Sequence, residues 1–210
     1  TLYLFAGLLA WDIFSKSITG CTSCLRASKH IAHKFPVPLA VFPVAIVVQK
    51  VYDALWGLLA YIVIFIGVRV LSDDPLPIDW RVLLLPIWLF FFLLLTLGFG
   101  LIVARVGVLF RDMTDIVAVL LRMVFFANPI FITVQEHIPA HLHRQYFLLN
   151  PIAGYLTYLR VILPGGEVLI DHYQIPVPYY PLYICVAAIL IFTVGLWIFI
   201  RSQRHYTKYM

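Results

Sequence analysis

The chain has 210 residues, of which 63% are hydrophobic and 12% charged, with a net charge of +5. A water-facing domain of this length carries about a quarter charged residues to cover its surface, so the composition excludes an aqueous exterior and points to lipid as the solvent. Three cysteines, Cys21, Cys24 and Cys185, exclude a disulfide framework.

A helix crosses the hydrocarbon core with about 20 apolar residues. In chain order, the pattern predicts about five such spans. The first, 2–18, is apolar and aromatic. The second, 38–68, is longer than a bilayer needs and holds Lys50 and Asp53 near its middle. The third, 82–104, and the fifth, 179–200, contain no charge at all, and the fourth, 116–134, contains only Arg122. The ten-residue alternation of a membrane β-barrel does not occur. The expected fold is therefore all-α, a polytopic transmembrane helix bundle forming a single domain over 1–210.

The loops set the orientation. Lys16 near the end of the first span is counted with Arg26, Lys29 and Lys34 after it, Arg105 and Arg111 follow the third, and Arg201, Arg204 and Lys208 the last. The other side holds only Arg69, Arg81, Arg144 and Arg160, together with Asp73, Asp74 and Asp79. By the positive-inside rule the richer side, including the C-terminus, is cytoplasmic. The basic excess is thus a topology signal, and no nucleic-acid partner is expected. An odd number of spans puts Thr1 outside, and no cleavable leader pattern is present. A preceding span is therefore expected in the full-length chain, giving about six with both ends in the cytoplasm.

The outer segment 135–178 is unusual. It holds an apolar stretch, Tyr146–Leu163, interrupted by Asn150-Pro151, where a residue before proline favours an extended or turn conformation. Two short helices dipping into the outer leaflet, or lying on it, fit this pattern. Irregular backbone at that depth needs protein or a wet cavity around it, so the segment is expected to cap or line a passage.

Four stretches in order carry a family resemblance: HKFPVPLAVFPVA (His33–Ala45), LGFGLIVARVGVLFRD (Leu97–Asp112), RMVFFANPIF (Arg122–Phe131) and LLNPIAGYLTYLRVIL (Leu148–Leu163). The chain resembles the ABC-2 family of transporter permeases, and within it the exporters of O-antigen, teichoic acid and related cell-wall glycans on lipid carriers. The resemblance implies a homodimer in a bacterial inner membrane, joined to two copies of an ABC ATPase subunit. ATP and Mg would be bound by that partner, and this chain has no cofactor of its own. It also implies that an amphipathic helix and a first span precede Thr1. Pro38 departs from the pattern, where a charged residue is common.

The resemblance assigns roles to particular residues. The cytoplasmic segment 19–37, with His33, Lys34, Phe35 and Pro36, becomes the ATPase-coupling element; the alternative is an ordinary loop with a Pro-x-Pro stop. Arg105, Arg111 and Asp112 lie around the turn between two spans, as a brace at the cytoplasmic gate or as plain helix-end charges. Arg122 inside a span would cost at least about 2.5 kcal/mol facing lipid. It must snorkel, pair with a carboxylate such as Asp53, or face a wet passage. Lys50 competes for Asp53 one turn away. Either cation facing the passage would meet the pyrophosphate of a lipid-linked glycan. Tyr155 and Tyr158 are the candidates for sugar stacking, whereas Trp11, Trp80, Tyr179 and Tyr180 fit an interfacial belt. Asn150, Pro151 and Arg160 belong to the outer gate.

No metal site is expected. Cys21 and Cys24 have no second pair and merely share a helical face. Glu136, His137, His141 and His143 offer zinc-ligand types, but Pro139 interrupts their helical spacing. No phosphate-binding Gly-rich loop, nucleophile elbow or zinc-protease motif occurs, so the chain is expected to be no enzyme. Other readings are an ABC-2 exporter of a drug or small lipid, an ATP-independent transporter, and a membrane transferase using the outer histidines. A secondary transporter would show internal repeats, and none of convincing length is present.

Overall fold

The computed structural model describes residues 2–34, 37–71, 80–110, 112–130, 145–146, 149–163 and 180–209. Among them no strand occurs, and the chain is a bundle of helices. These are α1 (Leu2–Ala27), α2 (Lys29–Lys34), α3 (Val41–Leu71), α4 (Leu85–Leu109), α5 (Met113–Ala127), α6 (Pro151–Ile162) and α7 (Tyr180–Tyr209), with a 3-10 turn at Trp80–Leu84 leading into α4.

Pairs of contacts fix the directions. Phe5 meets Tyr61 at 6.2 Å, and the Cys21 thiol lies 3.9 Å from the Pro43 carbonyl, so α1 and α3 are antiparallel. Phe14 meets Phe99 at 5.9 Å while Gly107 abuts the Thr22 carbonyl, so α1 and α4 are parallel. Thr22 bonds Thr114 at 3.0 Å and Trp11 packs on Phe125 at 5.5 Å, so α5 runs back. Gly98 of α4 lies against Ile191 and Gly195 of α7, making these two parallel. Direction therefore alternates through α1, α3, α4, α5 and α7, in the order the loop charges require. The C-terminal ends of α1, α4 and α7 share one end of the bundle. With α2, they bring Arg26, Lys29, Lys34, Arg105 and Arg201 to it.

Among the described residues three helices are long and apolar enough to cross a membrane: Val41–Gly67, Arg81–Leu109 and Leu182–Ser202. The chain is a multi-pass membrane protein. α1 and α5 depart from the expected first and fourth spans. α1 continues past Ile18 to Ala27, because no proline intervenes and its hydroxyls bond back to their own helix, Thr19 to the Ser15 carbonyl at 2.8 Å and Thr22 to the Thr19 carbonyl at 2.7 Å. Polarity satisfied in this way does not end a helix. Much of the expected cytoplasmic segment 19–37 is thus helix, and its stretch from Cys21 to Leu25 is largely core. α5 stops at Ala127 rather than running to 134. Asn128 precedes Pro129 and is extended, with φ −97° and ψ 149°, as the proline ring demands of its predecessor.

α4 and α7 approach closely. A Cβ on Gly98 would lie 2.7 Å from the Ile191 carbonyl and the Phe192 nitrogen, and one on Gly195 would strike the Gly98 carbonyl. Small residues permit such backbone contact where lipid and core are equally apolar and only fit drives association.

α6 lies at the opposite end from the basic residues, packed on α1, α4 and α7. The Asn150 side chain caps it by accepting from the Ala153 amide at 3.2 Å, with Pro151 at the first turn. It ends at Leu163, which is extended because Pro164 follows. Twelve residues span roughly 18 Å, short of the ~30 Å hydrocarbon core. The core around it is aromatic. Trp88 stacks on Phe92 at 4.8 Å, and its indole N–H donates to the Tyr155 carbonyl at 3.0 Å. Trp88→Phe should keep most of this packing yet cost about 1 kcal/mol through the lost indole hydrogen bond. A thermal melt of the detergent-solubilised protein would show the loss.

Candidate functional site

A cleft of about 760 Å³ opens between α1, α3 and α5. Three cations from three helices line it: Lys16, Lys50 and Arg122. Each lies at nearly the same height, 9 to 11 residues from the basic end of its helix, which is roughly 14–17 Å along the axis. Two of the sequence candidates, Lys50 and Arg122, are thereby brought together, although 72 positions apart.

The carboxylates sit beside the cleft rather than in it. Asp53 accepts from Lys50 at 2.8 Å, and Asp12 accepts from Lys16 at 2.7 Å, each pair lying within one helix. Asp53 therefore answers Lys50, not Arg122. The side chains of Lys16, Asp12 and Asp53 are each more than half exposed, so these pairs orient the ammonium groups more than they stabilise the fold.

Hydroxyls from Ser15, Thr19 and Ser23 of α1 and from Thr114 of α5 add polar groups to the walls. Gly20 and Ala118, with little or no side chain, leave room between the walls. Farther from the basic end the wall becomes aromatic, with Trp11, Phe125 and Phe126. Trp11 is buried and packs on Phe14 at 5.8 Å and on Phe125. It belongs to the core and the cleft, not to the interfacial belt expected for it, because the ring faces inward between α1 and α5.

The outer candidates form a separate cluster. Arg160 is buried, and its guanidinium donates to the Pro129 carbonyl at 2.5 Å and the Ile130 carbonyl at 2.9 Å. Asn150 donates to the Asn128 side chain at 3.0 Å, and the Tyr146 hydroxyl to the Ala127 carbonyl at 2.6 Å. Together they tie α6 to the turn that ends α5, with Pro151 starting the tied helix.

Tyr155 does not line a passage in this structure, contrary to the sugar-stacking role expected of it. It is fully buried against Trp88 and Phe92, and its hydroxyl donates to the Ile184 carbonyl at 2.9 Å. The face of α6 that carries Tyr155 is the face that packs on the bundle. Tyr158 is half-buried against the same core.

At the basic end, α2 carries His33 and an exposed Lys34; Phe35 and Pro36 lie outside the described residues. Arg105 is half-buried near the end of α4, and Asp112 is exposed at the start of α5, where its carbonyl accepts from Asp115 and Ile116. Arg111 lies outside the described residues, as do Glu136, His137, His141, His143 and Tyr179; Trp80 and Tyr180 are described in backbone only. Cys21 and Cys24 are buried free thiols. Among the described residues no group of three metal-ligating side chains occurs.

Sequence reasoning missed Lys16 and the hydroxyl row, because it counted Lys16 with the loop charges that set the orientation and took 19–37 as a cytoplasmic segment. Two signals were present. Asp12 and Lys16 stand four apart, a helical ion-pair spacing. Ser15, Thr19 and Ser23 recur every fourth residue, which puts them on one helical face.

Two curated relatives align with most of the chain. The O-antigen export system permease protein RfbA of Myxococcus xanthus is 29% identical over 172 residues, covering 80% of this chain. This chain spans 64% of that relative's length. The O-antigen export system permease protein RfbA of Klebsiella pneumoniae is 24% identical over 208 residues, 99% of this chain and 74% of its own length. No protein-family model matches the chain. The resemblance read from the four ordered stretches is borne out by these relatives.

Proposed function

We propose that this chain is the membrane-spanning permease subunit of an ABC exporter that carries O-antigen-type polysaccharide, linked to lipid, across the bacterial inner membrane. The similarity to two O-antigen export permeases along 80% and 99% of the chain carries this reading. The bundle of alternating helices with a cation-lined cleft supports it, because an export path for an anionic lipid-linked glycan needs polar groups at membrane depth.

The basic end faces the cytoplasm by the positive-inside rule, with the C-terminus on that side. Two ATPase subunits, which bind ATP and Mg, meet a permease homodimer there. α2 and the residues after it, with His33, Lys34, Phe35 and Pro36, form the coupling contact. This short helix hangs from the end of α1, so a push on it moves the α1 wall of the cleft. Arg105, Arg111 and Asp112 brace the neighbouring turn between α4 and α5. Asn150, Pro151 and Arg160 hold the outer gate helix α6. Lys50 and Arg122 lie on the path of the cargo, with Asp53 orienting Lys50.

Gentle purification of the tagged full-length protein from its native membrane tests the reading. A stoichiometric partner carrying an ATP-binding P-loop is expected, and scrambling residues 29–38 should release it. A clean homo-oligomer without any ATPase would refute the exporter.

A further inference from the structure

We propose that the cleft between α1, α3 and α5 binds the phosphate headgroup of an anionic amphiphile. Lys16, Lys50 and Arg122 take the phosphate oxygens, and the chain lies against Trp11, Phe125 and Phe126. The binding itself is independent of the permease reading; only the identification of the amphiphile with the cargo rests on it.

The cleft wall carries charge of one sign. Three cations line it and no carboxylate does. Asp12 and Asp53 each hold their lysine from its own helix, and an ammonium has three donors, so each lysine keeps donors for an anion in the cleft. Among the described residues Arg122 forms no ion pair. It stands exposed on a helix face with Met123 and Phe126, which are 65% and 79% exposed. A guanidinium in such apolar surroundings is costly without an anion or water. Phosphate oxygens accept from guanidinium and ammonium groups in charge-assisted bonds.

The polarity gradient gives the ligand its direction. Thr114, Ser23 and Thr19 lie nearest the basic end, the three cations follow, and Phe125, Phe126 and Trp11 lie deepest. An inorganic anion would use only the first part. An amphiphile entering from the membrane surface matches the whole wall, with its headgroup at the level of the cations and its chain pointing toward the bundle's other end.

The test uses the full-length chain in nanodiscs of phosphatidylcholine, with bound lipid read by native mass spectrometry. The probes are a polyprenyl diphosphate, phosphatidylglycerol and inorganic pyrophosphate. The triple variant Lys16→Gln, Lys50→Gln, Arg122→Gln should weaken amphiphile binding at least tenfold, whereas Arg201→Gln, outside the cleft, should leave it unchanged. The charge-keeping variant Lys16→Arg, Lys50→Arg, Arg122→Lys should retain binding. If the triple variant does not fold, Arg122→Gln alone, at an exposed position, should still lose about threefold.

Preference for the diphosphate lipid, abolished in the triple variant, supports the site and places the cargo in it. Equal binding of phosphatidylglycerol, also abolished, supports the site with membrane lipid as its occupant. Undiminished binding in the neutral variants, or no amphiphile bound by the wild type, overturns the proposal. Pyrophosphate binding as tightly as the lipid overturns the role of the aromatic wall. None of these outcomes depends on the ATPase, so failure here and failure of the exporter reading are distinguishable.

Discussion

Gly98→Leu is expected to leave no folded bundle at growth temperature. The Gly98 Cβ position lies 2.7 Å from the backbone of Ile191 and Phe192, and backbone cannot rotate aside as a side chain does. Even Gly98→Ala must push α4 and α7 apart, losing the most extensive helix contact among the described residues. Overpacking typically costs about 1–3 kcal/mol, and a clash with backbone falls at or beyond the upper end. Gly195→Ala should behave alike, since its Cβ would meet the Gly98 carbonyl. Gly67→Ala is the control. It meets nothing within 4 Å, and replacing glycine inside a helix favours the fold by roughly 0.5–1 kcal/mol. Fluorescence-detected size exclusion after graded heating should show the first two collapsing early and Gly67→Ala melting at or above the wild type. Wild-type behaviour of Gly98→Leu would show that α4 and α7 do not pack as described.

Arg160→Ala is the second large effect expected. The substitution removes a buried guanidinium and leaves the carbonyls of Pro129 and Ile130 without that donor. Each lost bond from a charged donor is worth about 1.5–3 kcal/mol, so the tie between α6 and the end of α5 should weaken by roughly 3 kcal/mol. Asn150→Ala should cost less, about 1 kcal/mol, through the lost helix cap as well as the Asn128 contact. Arg160→Lys should rescue only part, because a point-like ammonium does not reproduce the planar fork that reaches two carbonyls. The checks are the thermal midpoint of the solubilised protein and the amount of glycan reaching the cell surface. Export falling further than stability does, with the ATPase still bound, would mark α6 as part of the gate. Unchanged export in Arg160→Ala would remove α6 from that role.

Punctuation by proline was legible around the outer segment but passed over at Pro129. Asn150-Pro151 starts α6, and Pro164 follows its end. Asn128-Pro129 ends α5 by the same backbone restriction, although the apolar run continues to Val134 and reads as an unbroken span. The end of α1 was hidden for the opposite reason. Residues 19–24 are polar in composition, but their hydroxyls are consumed by the helix itself and their small size lets α4 come close at Gly107.

Lys50 and Arg122 stood out from the sequence as costly charges within spans, which follows from their solvation alone. That they share a cleft with Lys16, while Asp53 turns to Lys50, required the heights and faces of three helices. Tyr155 shows the converse. Its position in an outer aromatic helix resembles a sugar platform, yet Trp88, Phe92 and the Ile184 carbonyl occupy its surroundings.

By itself the sequence determined that this protein is a helical membrane bundle, in what order its helices reverse, and which end is basic. Those features depend on local composition, on proline and on the cost of charge in hydrocarbon, all of which act along the chain. Tertiary structure decided which faces meet. In a membrane the lipid and the protein core are equally apolar, so hydrophobicity does not tell an inward face from an outward one. Steric fit at Gly98, Gly107 and Gly195, and the few buried polar bonds such as those of Arg160, make that choice, and they exist only once the helices are side by side.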